Sequence, residues 1–159
     1  MSNSLVVYDS VFGNTHKIAV AISEGLAERG TSVVRAVVEV TPEDLIDLQT
    51  LVVGSPTRGF RATQVIIEWI NSLPISALSA VKVAAFDTRI PEATIKSNLI
   101  LRLLGGMVKY AVDQIAKSLQ AKMAGGEMPK NWFYVADSKG PLLEGELDRA
   151  YQWGEELAG

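Results

Sequence analysis

The chain contains no cysteine, which excludes disulfide cross-links, thiolate nucleophiles and thiolate metal ligands. It has a single histidine, His16, and no carboxylate cluster at ligand spacing, so no metal site is expected. No apolar run approaches the roughly 20 residues of a membrane span. The N-terminal Met1-Ser2-Asn3-Ser4 lacks the charged flank and apolar region of a signal peptide. A cytoplasmic protein without membrane contact is the expectation. A net charge of -3 with no basic patch argues against nucleic acid as a partner. There is no internal repeat, low-complexity tract or linker, so residues 1–159 are expected to form one domain. What is present is an ordinary globular balance, 48% hydrophobic and 21% charged, with enough chain for a sizeable core.

The most informative stretch is Leu5 to Thr15. The apolar, β-branched Leu5-Val6-Val7-Tyr8 stops at a polar turn, and Ile18, Ala21, Ile22 and Leu26 then recur at helical spacing. Strand, hydroxyl- and glycine-bearing loop, and helix follow one another. Such a turn leaves backbone N–H groups unpaired at a helix start, where the macrodipole adds partial positive charge. A phosphate suits that place, with Ser10 and Thr15 as further donors. The loop lacks the Gly-Lys-Ser/Thr of a Walker A motif and the spaced glycines of the dinucleotide fingerprint. A strand-loop-helix that holds no phosphate is the plain alternative.

Helix one is expected over Asn14–Arg29, with Gly30 as its C-cap, and Thr31–Val38 reads as a strand near a sheet edge. Thr41-Pro42-Glu43-Asp44 opens a short helical turn. Leu51–Gly54 is wholly apolar, as in a strand covered on both faces. Ser55–Ala62 follows as a loop and Thr63–Ser72 as a helix with Val65, Ile66, Trp69 and Ile70 inward. Val81–Phe86 is the next strand and Asp87-Thr88-Arg89 the loop at its end. Ile95, Leu99, Ile100, Leu103 and Leu104 keep helical spacing up to Gly105-Gly106. Ala111, Ile115, Leu119 and Met123 do so again up to Gly125-Gly126. Trp132–Val135 is the last strand, and Leu143, Leu147, Ala150, Tyr151 and Leu157 outline the last helix. Alternating strands and helices predict an α/β fold: a parallel sheet with helices on both faces, a three-layer sandwich.

The pattern Ser10-x-Phe12-Gly13-Asn14-Thr15 after a strand resembles the phosphate loop of the flavodoxin family, and Gly140–Leu147 is similar to the ending of many of its members. The resemblance covers nearly the whole chain. It implies a five-stranded sheet of order 2-1-3-4-5 with flavin mononucleotide (FMN) beyond the carboxyl ends of strands one and three. By position, Ser10, Val11, Phe12, Gly13, Asn14 and Thr15 would hold the phosphate. Pro56, Thr57, Arg58, Gly59 and Phe60, with Asp87, Thr88 and Arg89, would flank the isoalloxazine ring. The Trp and Tyr that flavodoxins usually stack on the ring do not stand at the start of these loops; Phe60 is the aromatic of the second loop, and Arg89 occupies the third. An Arg at the ring would favour the anionic reduced flavin and move the potential upward.

The resemblance implies an FMN-binding redox protein acting in electron transfer, with a redox protein or an NAD(P)H- or quinone-type molecule as partner. An NAD(P)H-dependent flavin or quinone oxidoreductase is one alternative. A flavin-free binding or regulatory module is another, motivated by the missing stacking pair. No side chain needs to act as acid or base, because the flavin carries the chemistry. His16 is expected exposed, Asp9 as a turn cap, and Glu144, Glu146 and Asp148 as answers to the last helix dipole. Trp69, Trp132 and Trp153 are expected as core or surface anchors. The apolar Ile95–Met107 stretch is expected as a lid over the site or a self-association surface, with a short helix packed over the sheet as core the plainer alternative.

Overall fold

Short runs rich in β-branched or aromatic residues, each too short for a stable helix, become the strands. In the computed structural model, which describes residues 2–96 and 109–159, these are β1 (Ser2–Tyr8), β2 (Gly30–Ala36), β3 (Thr50–Pro56), β4 (Lys82–Arg89) and β5 (Lys130–Tyr134). They form one parallel sheet of order β2-β1-β3-β4-β5. The described helices are α1 (Asn14–Leu26), α2 (Gln64–Ser72), α3 (Glu92–Lys96), α4 (Ala111–Gln120) and α5 (Glu146–Ala158). None of them is long and apolar enough to cross a membrane.

Side chains alternate across the sheet, so each central strand feeds two cores. Leu5, Val7, Leu51, Val53, Val83 and Ala85 meet Ile66 and Ile70 of α2 and Ile115 and Leu119 of α4. Val6, Val52, Ala84, Phe86 and Phe133 meet Ile18 and Ile22 of α1 and Ala150, Trp153 and Leu157 of α5. Burial on both faces is why these strands read as continuous apolar runs. The α/β sandwich with helices on both faces is as the sequence predicts.

On the second face, α1 and α5 touch backbone to backbone. A Cβ at Gly25 would lie 2.1 Å from the Tyr151 carbonyl oxygen, and one at Gly154 would lie 2.2 Å from that of Ile22. Helix α5 also closes the outer edge of β5. The Tyr134 N–H donates to Glu146 Oε2 at 2.7 Å, and Arg149 Nη2 donates to the Trp132 carbonyl at 2.6 Å. An edge whose polar groups are already bonded is a poor template for another strand. Glu146 therefore does more than answer a helix dipole. It is 7% exposed, and although burial pushes its carboxyl up, hydrogen bonds from Arg149 and the Tyr134 N–H hold it below the usual carboxylate range.

Several boundaries differ from the sequence reading. Helix α1 tightens into a 3₁₀ turn over Ala27–Arg29, and Gly30, with φ 174°, is extended backbone opening β2 rather than a left-handed cap. Strands β3 and β4 continue past their apolar runs, because Ser55 pairs with Asp87 and Pro56 with Thr88. Asp87-Thr88-Arg89 is thus the end of a strand, not a loop. The Ile95–Met107 stretch lies almost wholly outside the described residues.

Candidate functional site

Strand β1 sits between β2 and β3, so the chain leaves its carboxyl end on one side of the sheet and later returns on the other. A crevice opens at such a switch point. Here it is a cavity of about 310 Å³. Its walls come from the loop after β1 (Ser10, Val11, Phe12, Asn14, Thr15), the end of β3 and its loop (Pro56, Thr57, Arg58, Gly59, Phe60), the end of β4 (Thr88, Arg89, Ile90), and Tyr110, Val135 and Ser138.

The first wall is mostly backbone. Gly13 has φ 92°, a left-handed conformation that turns the chain into α1 without a Cβ penalty. Its N–H donates to Ser10 Oγ at 3.0 Å, closing the turn. The N–H groups of Val11, Phe12 and Asn14 have no partner among the described residues, and they gather at the start of α1, where the helix dipole favours an anion. Thr15 is 1% exposed, and its hydroxyl shares a 2.8 Å hydrogen bond with that of Thr88, tying the loop to β4.

The second loop is a tight reversal. Arg58 N–H donates to the Arg61 carbonyl at 2.8 Å and Arg61 N–H donates back at 3.1 Å. Gly59 and Phe60 take φ 55° and 64° at its tip. A left-handed aromatic is uncommon, and the cost is accepted where it presents Phe60 to the cavity. Thr57 joins this loop to the far wall: its N–H donates to the Thr88 carbonyl at 2.9 Å, and its Oγ1 accepts the Ala111 N–H at 3.0 Å.

The β4 wall is made of side chains. Asp87 is fully buried and accepts from Arg89 Nε at 2.8 Å, Arg89 Nη2 at 2.7 Å and the Val112 N–H at 2.9 Å. One carboxylate thus neutralises an arginine and caps α4. Burial pushes the Asp87 carboxyl up against the pull of Arg89 and Val112. The Arg89 guanidinium lies 3.6 Å from the Tyr110 ring centroid and 4.7 Å from that of Trp132. Tyr110 Oη is buried without a hydrogen-bond partner among the described residues. Burial, and then the Glu92 charge, push its phenol above the usual range.

The structure brings most of the sequence-predicted residues to one cavity, Ser10–Phe12, Asn14, Thr15, Pro56–Phe60, Thr88 and Arg89 lining it. Gly13 shapes the wall without lining it, and Asp87 points to the α4 face, behind Arg89. Tyr110, Ile90, Val135 and Ser138 were not among the predicted residues. Tyr110 carried one signal, an aromatic directly before a helical pattern; Val135 directly follows β5, where the carboxyl-end rule applies equally. His16 is exposed and stacked on Tyr8 at 4.9 Å, away from the cavity. Trp153 is core, whereas Trp132 is 39% exposed on the β5 edge.

A family model described as a flavodoxin domain matches residues 5–129. The chain belongs to the flavodoxin domain family. An uncharacterised protein of Methanocaldococcus jannaschii is 34% identical over 61 residues, a match spanning 35% of this chain and only 16% of that relative. Among solved structures, a flavodoxin from the domain Archaea superposes with a TM-score of 0.67 at 18% identity, over 98% of this chain and 96% of the other. A flavodoxin, WrbA-like protein from Agrobacterium tumefaciens gives 0.68 at 16% identity, over 99% and 96%. At these identities the structural likeness speaks for the flavodoxin fold alone.

Proposed function

We propose that the chain is an FMN-binding redox protein acting in electron transfer. The observation that carries this reading is that Val11, Phe12 and Asn14, whose N–H groups have no partner among the described residues, line a cavity at the switch point of a flavodoxin-family sheet, at the start of α1. Those donors fit a phosphate, and the cavity walls fit a planar ring. Ser10–Thr15 would hold the phosphate, with Gly13 setting the turn. Pro56–Phe60, Thr88 and Arg89 would flank the ring, and Tyr110 joins them as an aromatic of the far wall. Asp87 would act behind Arg89, by orienting it.

When bound, the flavin supplies the electron-transfer chemistry; the chain's own residues bind, orient and tune. An arginine at the ring would pull the potential upward if its charge stood alone. Asp87 answers that charge, so the pull on the flavin is weaker than the arginine alone would give. The partner in this reading is a redox protein or an NAD(P)H- or quinone-type molecule in the cytoplasm. The test is an absorbance spectrum of the purified protein, before and after titration with FMN. Visible flavin bands saturating at one equivalent per chain support the reading. A colourless protein that ignores FMN would overturn it in favour of a flavin-free module.

A further inference from the structure

The chain carries 18 acidic residues against 15 lysines and arginines, yet among the described residues no carboxylate lines the cavity. The charged wall residues among those described are Arg58 and Arg89. Arg89 is answered by Asp87. Arg58 has no ion-pair partner among the described residues, and neither does Lys139 just outside the wall. Both lie over the same ring: the Arg58 guanidinium is 5.4 Å and Lys139 Nζ 5.9 Å from the centroid of Phe12, which is 45% exposed.

The two cations come from separate loops, and each backbone is tied down. Arg58 is held by the paired bonds with Arg61, and the Lys139 carbonyl accepts from Asn14 Nδ2 at 3.2 Å, at the start of α1. Contacts between an exposed ring and a cation are weak in water, and two like charges on one ring repel. An anion seated between them would turn that repulsion into attraction, while the ring offers a stacking face.

We propose that Arg58, Lys139 and Phe12 form a second ligand site at the mouth of the cavity, one that takes a nucleoside diphosphate: the base on the Phe12 ring, the phosphates on the two cations. The site shares a loop with the flavin phosphate but uses different groups: the Phe12 ring and two side-chain cations here, the backbone N–H groups of Val11, Phe12 and Asn14 there. It favours a small anionic aromatic molecule as partner over a basic docking protein, which the same two charges would repel. The inference rests on the reading above only in assigning the inner cavity to FMN.

The test is a calorimetric titration of ADP into FMN-saturated protein at low and at physiological salt, with Lys139→Glu as the variant and FMN affinity measured alongside. The expected result is ADP binding that weakens with salt, is about tenfold weaker in Lys139→Glu, and leaves FMN affinity within about twofold of the parent. Absence of ADP binding at millimolar concentration overturns the proposal. So does equal binding by Lys139→Glu, or a loss of FMN affinity as large as the loss for ADP, which would assign the lysine to the flavin. If the protein takes no FMN, the functional reading falls by itself. The same ADP titration on the unloaded protein then still decides the cation site: loss in Lys139→Glu supports it, and no change overturns it.

Discussion

On the α1 side of the cavity the working groups belong to the backbone: a left-handed Gly13, a turn closed on Ser10 Oγ, and N–H groups gathered at a helix start. On the β4 side they belong to side chains: a buried Asp87 that holds Arg89 and caps α4, with Tyr110 and Trp132 against the guanidinium. The first wall depends on local conformation and so is written in consecutive residues. The second depends on groups brought together from β4, β5 and the start of α4, and no short stretch of sequence contains it. Each wall should therefore fail in its own way.

The largest effect is expected on the side-chain wall. Asp87→Ala strands a buried guanidinium and the Val112 N–H, and should cost about 3–5 kcal/mol in urea unfolding. A loss below about 1 kcal/mol would mean that Arg89 swings out to water and that the wall is not built on the pair. The backbone wall is probed by Gly13→Val. A Cβ there meets nothing within 4 Å, so the penalty is the positive φ itself, about 2 kcal/mol for a β-branched residue. Alongside it, FMN affinity should fall at least about tenfold as the turn loses its shape and the side chain crowds the phosphate. Full affinity would show that the phosphate sits elsewhere.

A smaller change of opposite sign sharpens the contrast. Tyr110→Phe removes a buried hydroxyl that has no partner among the described residues, so the ligand-free protein should gain about 1 kcal/mol. Destabilisation would show that the hydroxyl is satisfied after all. The smallest effect is a control outside both walls. Glu146 is held below its usual range, so its contribution is complete above the unfolded value of about 4.3 and is lost as pH falls through the folded value. Glu146→Gln should flatten that acid limb of the stability curve without touching FMN affinity. An unchanged acid limb would assign the pH dependence to other carboxylates.

Legibility followed the same division. Period and apolarity alone located β1, β3 and β4, and the Ser10–Thr15 turn could be read from the strand before it and the helix after it. Strand ends were misjudged where polar residues continue a ladder: Asp87 and Thr88 look like loop residues, and only their pairing with Ser55 and Pro56 keeps them extended. Glu146 looked like a dipole partner because its place at the start of the last helix is visible in sequence while the edge of β5 is not. Tyr110 stood in plain view without any local sign that it would face Arg89.

By itself the sequence determined the α/β sandwich, the strand-loop-helix at its start and the family, because hydrophobic periodicity and the φ demands of a glycine turn act over a few consecutive residues. The tertiary structure alone decided that Asp87 bonds Arg89 and the start of α4, that Tyr110 joins the cavity, and that Arg58 and Lys139 share one aromatic ring. Those are contacts between side chains far apart in the chain, set by how the strands are ordered and how the helices dock on them, and such distances are not written in any local pattern.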